Sequence, residues 1–321
     1  MPATITHAYF AEDLFNILDK NTKKLISNKK KELMMFSQNT DPLMFYILTL
    51  KNGKKIRKLQ FVAHTEKTNL FFENTIKYIK KNKYYNNPDV LVFLYGFICH
   101  FALDSRTHPF IVYKTGYFIK EDKKTHKYNG LHNDMEAYLD NYMLEKHHIS
   151  RIDFKKFCFS LEPFTEELNQ VISYTFKKTY NVENMDKIYY SSLKQMNFFL
   201  TTFRLDPHKY KSYIYRFIDK FTSKKTFKLE PVSYNIRNKN IDYLNNNHKK
   251  WNYPVDRTIK SHKSFDELYQ DSLIEAKNLI EKVNDYFFKD TSININSLFH
   301  NRSYLTGIDC NSKKKQIYFE F

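Results

Sequence analysis

Residues 90–104 read VLVFLYGFICHFALD, a stretch in which only His100 and Asp104 carry charge near neutral pH. The remaining positions are apolar on nearly every side of a helix, and such a helix has to be buried inside a protein. The apolar run from Val90 to Leu103 is fourteen residues long, which is too short to span a bilayer. The stretch therefore predicts the central core helix of a helical protein.

His100 and Asp104 are four positions apart, so both side chains leave the same face of this helix. Burying an ionised aspartate is costly unless a cation or strong hydrogen-bond donors compensate. Two interpretations stay open: a buried His–Asp hydrogen bond, or a site for zinc or a similar divalent ion with nitrogen and oxygen ligands. His108 follows four positions after Asp104 and is a candidate for the same ligand set.

The same spacing recurs in His132 and Glu136, on another predicted helix. With twelve histidines in the chain, chance alone produces about one such pair, so spacing by itself is weak evidence. A third pair, His262 and Asp266, flanks the sequence SFDE that starts at Ser264. That sequence is a capping box, and helix capping explains the third pair better.

Glycine content argues against several fold classes. Only five glycines and eight prolines occur in 321 residues, and a chain so poor in turn-forming residues does not readily build a many-stranded sandwich or barrel. The glycines never approach the G-x-G-x-x-G or P-loop patterns, so dinucleotide-binding folds and P-loop NTPases are not expected. The composition predicts an all-α protein.

Apolar periodicity places the helices in one continuous array without internal repeats or a clear linker. We expect a single domain, 1–321, with a metal-ligand half, 1–148, and a helical and irregular remainder, 149–321. Residues 51–58 and 222–262 are predicted as loops, the tail from 291 as irregular, and 317–319 as a short strand. Helices are predicted over 8–18, 24–36, 43–50, 66–81, 90–104, 132–147, 162–180, 183–204, 208–221 and 264–288, with a separate segment starting at His108-Pro109.

Charge gives an ambiguous indication of partners. Fifty-two Lys and Arg against thirty-five Asp and Glu leave a net charge of +17, which suits nucleic acid or an anionic membrane surface. The lysines lie among Asn and Ser, and Ile, Tyr and Phe are also abundant, as an AT-rich genome would encode. Genome composition and a functional basic face therefore both remain open.

Three separated cysteines, Cys99, Cys158 and Cys310, fit neither a disulfide framework nor a cysteine-based zinc site. The first residues, MPATITHAYFAEDL, show no basic region followed by an apolar one, so no secretory signal is expected. The sequence thus predicts a cytoplasmic protein.

The first half of the chain contains a series of motifs in this order: Thr6-His7, Asp41-Pro42, HTEKT from His64, GFICHFALD from Gly96, His108-Pro109, and His132 with Glu136. This order resembles the zinc-dependent phospholipase C family, an all-α group that is itself similar to the S1/P1 nucleases. The resemblance is strong over residues 1–140 and weak beyond them. Weaker similarities to intracellular-type members lie in WNYP, starting at Trp251, and SYLTG, starting at Ser303.

The resemblance implies a compact multi-helix bundle with an irregular C-terminal extension and a cluster of two or three zinc ions. The first ion would be held by Asp41, His64, His100 and Asp104. The second would be held by His108, His132 and Glu136. The third would be held by His7, Asp104 as a bridge, and the amine and carbonyl of the N-terminal residue, which would be Pro2 if Met1 is removed.

The resemblance further implies a phosphohydrolase that attacks a phospholipid or other phosphodiester with metal-activated water, and it makes Asp41 the candidate that orients or deprotonates this water. Secreted relatives start with a zinc-binding Trp and carry a C-terminal β-sandwich, and neither is found in this sequence. A P1-like nuclease or nucleotidase and a non-catalytic, metal-stabilised helical protein remain alternatives. Nucleic acid is the less favoured substrate, and the sequence indicates no protein partner.

Overall fold

The computed structural model of the chain is mostly helical, which confirms the predicted fold class. It describes residues 4–48, 52–149, 161–204, 210–222, 229–233, 241–289 and 291–320. Their apolar side chains form one continuous core that reaches from the first helix to the last.

Within these ranges the chain forms twelve α-helices and one antiparallel hairpin. The α-helices are α1 Thr4–Ile17, α2 Lys20–Leu25, α3 Lys30–Phe36, α4 Gly53–Thr65, α5 Thr68–Asn82, α6 Pro88–Thr115, α7 Leu131–Lys146, α8 Glu166–Tyr180, α9 Met185–Phe199, α10 Tyr210–Phe221, α11 Phe265–Phe288 and α12 Ile295–Phe299. The hairpin strands are β1 Trp251–Tyr253 and β2 Asp256–Ser261, with Trp251 opposite Ser261. Short 3₁₀ helices span Asp41–Phe45, Tyr84–Asn86, Lys123–Tyr128 and Glu230–Ser233, and a π-helix spans Leu200–Arg204.

Helix α6 is the central element, as the sequence predicts. Asn87 caps its N-terminus, since the Asn87 side chain accepts from the backbone N–H of Asp89. Pro88 occupies the first turn, where its missing N–H costs nothing. Helices α1, α3, α7 and α11 pack around it. By length and composition α6 could span a bilayer, but 89% of its most apolar window is buried inside the protein.

Helix α6 crosses the end of α3 at Gly96. A Cβ atom placed there would lie 2.5 Å from the backbone carbon of Phe36 and 2.8 Å from the nitrogen of Ser37. Those distances are shorter than any side chain tolerates, so only glycine permits this close approach. Because His100 lies one turn beyond Gly96, the same crossing brings the end of α3 next to a predicted metal ligand.

Helix α11 covers another face of α6 and begins with the predicted capping box. The Ser264 side chain accepts from the backbone of Glu267, and the Glu267 side chain accepts from the backbone of Ser264. Deep in this interface the Tyr95 hydroxyl donates to Asn284 at 2.5 Å. Although α11 is far from the metal-ligand half in sequence, it packs against α6, the helix that carries His100 and Asp104.

Four predictions about the first half of the chain were wrong. The helix predicted over 24–36 is divided into α2 and α3, because the turn between them buries Ile26. The helix predicted over 43–50 is instead the 3₁₀ helix that ends at Phe45, and the backbone N–H groups of Ile47 and Leu48 donate to Gln195.

The other two wrong predictions concern α4 and α6. Residues 53–58, predicted as part of a basic loop, form the start of α4. The helix forms there because Ile56 and Leu59 lie on one face of it and are buried in the core. His108-Pro109 does not start a new segment: α6 runs through Pro109 to Thr115. An interior proline normally breaks a helix, but Phe110, which is fully buried, anchors the continuation in the core.

The second half departs from prediction in the segment 222–262, which contains the β1–β2 hairpin instead of loop alone. Trp251 of β1 is buried against Phe110 of α6, with the ring centroids 5.3 Å apart. The tail residues 317–319 do not form a strand; the backbone N–H groups of Ile317 and Tyr318 donate instead to the carbonyl of Pro254. In this way the hairpin ties the C-terminal tail to the central helix.

Candidate metal centre

Five elements bring the eight residues proposed from the sequence together beside the C-terminal half of α6. Seven of the eight are at most 7% exposed, and the side chain of His132 is 30% exposed. His7 comes from α1, Asp41 from the 3₁₀ helix after α3, His64 from α4, His100, Asp104 and His108 from α6, and His132 and Glu136 from α7.

The imidazoles of His64 and His100 point their Nε2 atoms at each other across 3.1 Å. The Nδ1 atom of His64 lies 2.8 Å from the carbonyl of Gln60, and that of His100 lies 2.9 Å from the carbonyl of Ser37. Because a carbonyl only accepts hydrogen bonds, each Nδ1 carries the proton and donates it. Each neutral ring therefore presents an Nε2 lone pair, and two facing lone pairs repel unless a proton or a cation lies between them.

Two carboxylates converge on the same point. Asp41 Oδ1 lies 3.2 Å from His64 Nε2, and Asp104 Oδ2 lies 3.1 Å from His100 Nε2. Asp41 Oδ2 has no hydrogen-bond partner although it is buried. Buried acceptors without donors are costly, so this donor set fits a divalent cation with nitrogen and oxygen ligands.

Asp104 occupies the middle of the cluster. Its Oδ1 atom lies 3.1 Å from His7 Nε2, while Oδ2 lies 3.1 Å from both His100 Nε2 and His108 Nδ1. One carboxylate thus faces imidazoles from two helices, and a carboxylate can bind one ion through each oxygen. The position fits the bridging role that the family resemblance implies for Asp104.

A second group lies between α6 and α7. Potential ligand atoms of His108, His132 and Glu136 are all within 4.8 Å of one another, and the same three residues were proposed together from the sequence. His132 Nε2 lies 2.9 Å from Glu136 Oε1. The rings of His108 and His132 stack with centroids 5.5 Å apart, so this group adjoins the Asp104 cluster through His108.

The remaining potential ligands fall into two groups that share His100. One is His64, His100 and Asp104, and the other is His7, Asp41 and His100, each with atoms within 4.8 Å. Since the Nδ1 of His100 is used by the Ser37 carbonyl, this ring offers only Nε2 and can bind one ion. The grouping of His7 with Asp41 was not anticipated from the sequence; the stacking of the His7 ring on His100, at 4.2 Å, places it there.

Electrostatics keep the carboxylates ionised despite burial. Burial would raise the pKa of Asp104, but His108, His100 and His7 together hold this pKa well below its usual range. Asp41 behaves similarly: burial opposes ionisation, and His100 and His64 lower its pKa. Carboxylates that stay charged at neutral pH are the form that binds metal.

A cavity of about 370 Å³ opens onto the cluster. Asp41, His64, His108, His132 and Glu136 line its inner end. The rest of its wall is largely apolar and aromatic, formed by Met44, Phe61, Val112, Tyr117, Phe118, Tyr128 and Leu305 among others. A small molecule in this cavity would meet the candidate ligands at one end and apolar rings along its sides.

The site also includes supporting residues that spacing could not reveal. Gln60 donates to Asp41 Oδ1 at 2.8 Å, while the Tyr304 backbone N–H donates to the His64 carbonyl at 2.9 Å. The Tyr304 ring packs 4.9 Å from that of His64. Tyr304 belongs to the SYLTG motif that contributed to the resemblance, but its place beside His64 depends on tertiary folding. Residues 1–3 lie outside the described ranges, so the third zinc site expected at the N-terminal amine of Pro2 stays a prediction.

Comparison with known proteins gives one match. No curated protein and no solved structure is significantly similar to the chain. Residues 6–182 match the sequence model of the family described as zinc dependent phospholipase C, and this stretch contains all eight residues of the centre. Since the match covers more than half of the 321 residues, the chain belongs to the zinc dependent phospholipase C family.

Proposed function

We propose that the protein is a zinc-dependent phosphohydrolase that cleaves a phosphodiester of a phospholipid, as a phospholipase C does. The observation that carries the proposal is the pair of imidazoles, His64 and His100, whose backbone-bonded Nδ1 atoms leave two Nε2 lone pairs 3.1 Å apart. Buried carboxylates surround this point, and family membership supports zinc as the cation.

The ligand sets follow from the contacts. His64, His100 and Asp104 would hold one ion, with Asp41 adjacent, and His108, His132 and Glu136 would hold a second. Asp104, which also faces His7, would connect the two and any third ion. Zinc bound here would supply a Lewis acid that activates water and stabilises negative charge on the phosphate.

Asp41 is the residue we propose to orient and deprotonate the attacking water. It lines the inner end of the cavity, and its Oδ2 atom is without a hydrogen-bond partner. Gln60 fixes the carboxylate through Oδ1, so the free oxygen has a defined direction. A fixed carboxylate with one open oxygen is suited to accepting a proton.

The cavity wall supports a phospholipid as substrate. The residues that line it among the described ranges include no Lys or Arg, so the side chains that meet a substrate beyond the metal ligands are mostly apolar. Such a wall favours the acylglycerol part of a lipid over a second phosphate. The aromatic rings of Tyr117 and Phe118 would also accept a nucleobase, which keeps a P1-like nuclease as the second candidate.

A substrate panel separates the candidates. Zinc-loaded protein would be assayed against phosphatidylcholine, a bis-aryl phosphodiester and single-stranded DNA. We expect turnover of phosphatidylcholine and of the bis-aryl diester, and loss of both by at least about 100-fold in Asp41→Asn. Asp13→Asn, on the far part of α1, is the matched control and should retain activity. Preference for DNA would support the nuclease, and inactivity on all three substrates with zinc bound would support a non-catalytic role.

A further inference from the structure

Helix α10 exposes its apolar face instead of burying it. Tyr213, Ile214, Phe217, Ile218 and Phe221 are between 39% and 78% exposed. Their spacing puts them on one stripe of the helix, the pattern that normally faces a protein core. A contiguous stripe of this kind on a surface marks an interaction site.

The opposite, polar face attaches α10 to the rest of the protein. Arg216 Nε donates to Glu230 Oε1 at 2.9 Å, and Asp219 accepts from the backbone N–H groups of Leu229 and Glu230, each at 2.9 Å. Ser212 is only 2% exposed. Because charged and polar groups hold the helix in place, its apolar stripe is directed outward by the fold itself.

Hydrogen bonds connect α10 with elements nearer the metal centre, and these elements also carry exposed apolar residues. The Tyr215 hydroxyl donates to the carbonyl of Phe203 at 3.1 Å, and Phe203 is 40% exposed. Phe198, on α9, is 57% exposed. Three residues before Phe198, the Gln195 side chain accepts from the backbone N–H of Leu48 at 2.9 Å, and Leu48 is 72% exposed.

Leu48 follows directly after the segment that carries Asp41 and Met44, both of which line the cavity. A series of contacts thus connects α10 with the element that carries Asp41 and Met44.

Basic residues accompany the apolar stripe. Lys211 and Lys220 lie on α10. Aromatic residues on one face and lysines beside them are typical of helices that lie in the headgroup region of an anionic membrane. A second copy of this chain, with its net charge of +17, would bring like charges together at such a contact.

We propose that α10 is an interfacial helix that docks the protein on an anionic phospholipid bilayer. Phe217 and Phe221, whose rings pack 5.0 Å apart, would insert among the acyl chains while the lysines contact the headgroup phosphates. The value of this docking for catalysis rests on the phospholipid hydrolysis proposed above, but the binding itself does not depend on it.

The test is flotation with vesicles of equal parts phosphatidylcholine and phosphatidylglycerol. Wild type should float with them, and less with phosphatidylcholine alone or at high salt. Phe217→Asp with Phe221→Asp should reduce the bound fraction by at least about tenfold. Phe217→Leu with Phe221→Leu should retain binding, since an apolar stripe is kept.

Ile274→Asp is the matched control, because Ile274 is 59% exposed on α11, away from the stripe; it should bind vesicles like wild type. Hydrolysis of a soluble bis-aryl phosphodiester should be unchanged in all variants, which separates lost docking from lost chemistry. Equal binding by wild type and the Asp variant, or no binding by wild type, would overturn the proposal. So would a wild-type dimer in sedimentation velocity that the Asp variant dissociates, because a second copy would then be the occupant.

Discussion

Asp104 is the residue on which the centre converges. Its two oxygens lie 3.1 Å from the imidazoles of His7, His100 and His108, and these rings hold its pKa well below the usual range although burial opposes ionisation. Substitution of a residue that contacts several candidate ligands should weaken the binding of more than one ion, whereas substitution of His108 should disturb only one group of ligands. This difference can be measured.

We expect Asp104→Asn to lower zinc content and diesterase activity more than His108→Ala does, by at least about tenfold in activity. An amide keeps the shape of the carboxylate but loses the charge that two ions would share. Elemental analysis and bis-aryl diester turnover of the two variants, with Asp13→Asn as the control, measure the effect. Equal losses in the two variants would mean that Asp104 serves a single ion.

Asp140, on α7, is a buried carboxyl that supports the cluster from outside. Its Oδ1 atom accepts from the backbone N–H and the hydroxyl of Thr6 at 2.8 and 2.9 Å, directly before His7. Burial raises the pKa of Asp140 to about 6, although Arg204 and the Thr6 donors act in the opposite direction. The folded chain therefore binds this proton more tightly than the unfolded chain.

The raised pKa of Asp140 predicts a stability contribution that is full below about pH 4 and is lost as the pH rises through about 6. The loss amounts to about 3 kcal/mol at neutral pH. Urea unfolding of zinc-free protein from pH 4 to 7.5, for wild type and Asp140→Asn, isolates the effect as the difference between the two curves. A difference that does not change with pH would contradict the assignment.

At the scale of elements, the crossing of α6 over α3 at Gly96 positions His100. The Ser37 carbonyl that fixes the His100 tautomer lies at this crossing, next to the Ser37 nitrogen that a Cβ at position 96 would meet at 2.8 Å. Packing and metal binding are therefore coupled through one pair of helices.

Gly96→Ala should destabilise the fold by about 3 kcal/mol, the upper end of overpacking costs, because the clash is with backbone. It should also weaken zinc binding by displacing the Ser37 carbonyl. Thermal unfolding and zinc titration test both effects. Gly53→Ala is the control, since the nearest contact of a Cβ atom there is the end of the flexible Arg57 side chain, at 3.1 Å. An equally large loss of stability in Gly53→Ala would contradict the explanation given for Gly96.

The sequence predicted the elements that have strong local signals, and it did not predict those that depend on tertiary contacts. The apolar run 90–104 predicted α6, and SFDE at Ser264 predicted the start of α11. The i, i+4 pairs indicated which side chains share a face, but not that His7 stacks on His100 or that Gln60 holds Asp41. Likewise, the burial of Trp251 against Phe110 stabilises a hairpin in a segment without periodicity, which no local pattern predicted.

At the scale of the whole molecule, the family match ends at residue 182, yet the core continues beyond it. Helix α11 packs along α6, and the backbone of Tyr304 bonds to the carbonyl of His64. The remainder of the chain therefore supports the metal-ligand half. A single domain over 1–321 and a cytoplasmic location stay predictions.

We expect a fragment of residues 1–182 to be unfolded or insoluble, because α6 would lose the apolar cover of α11. The measurement is circular dichroism with thermal melting of the fragment and of the full chain, each with zinc. The full chain serves as the control. A fragment that melts cooperatively and binds zinc would show that the matched region is an independent domain.

The central claim is that the buried His, Asp and Glu side chains beside the C-terminal half of α6 form a zinc centre. Elemental analysis of protein purified without added metal tests it most directly, since the ligands should retain zinc through purification. The account predicts at least two zinc ions per chain, falling by one or more in His100→Ala. Less than one divalent ion per chain in the folded wild-type protein would contradict it.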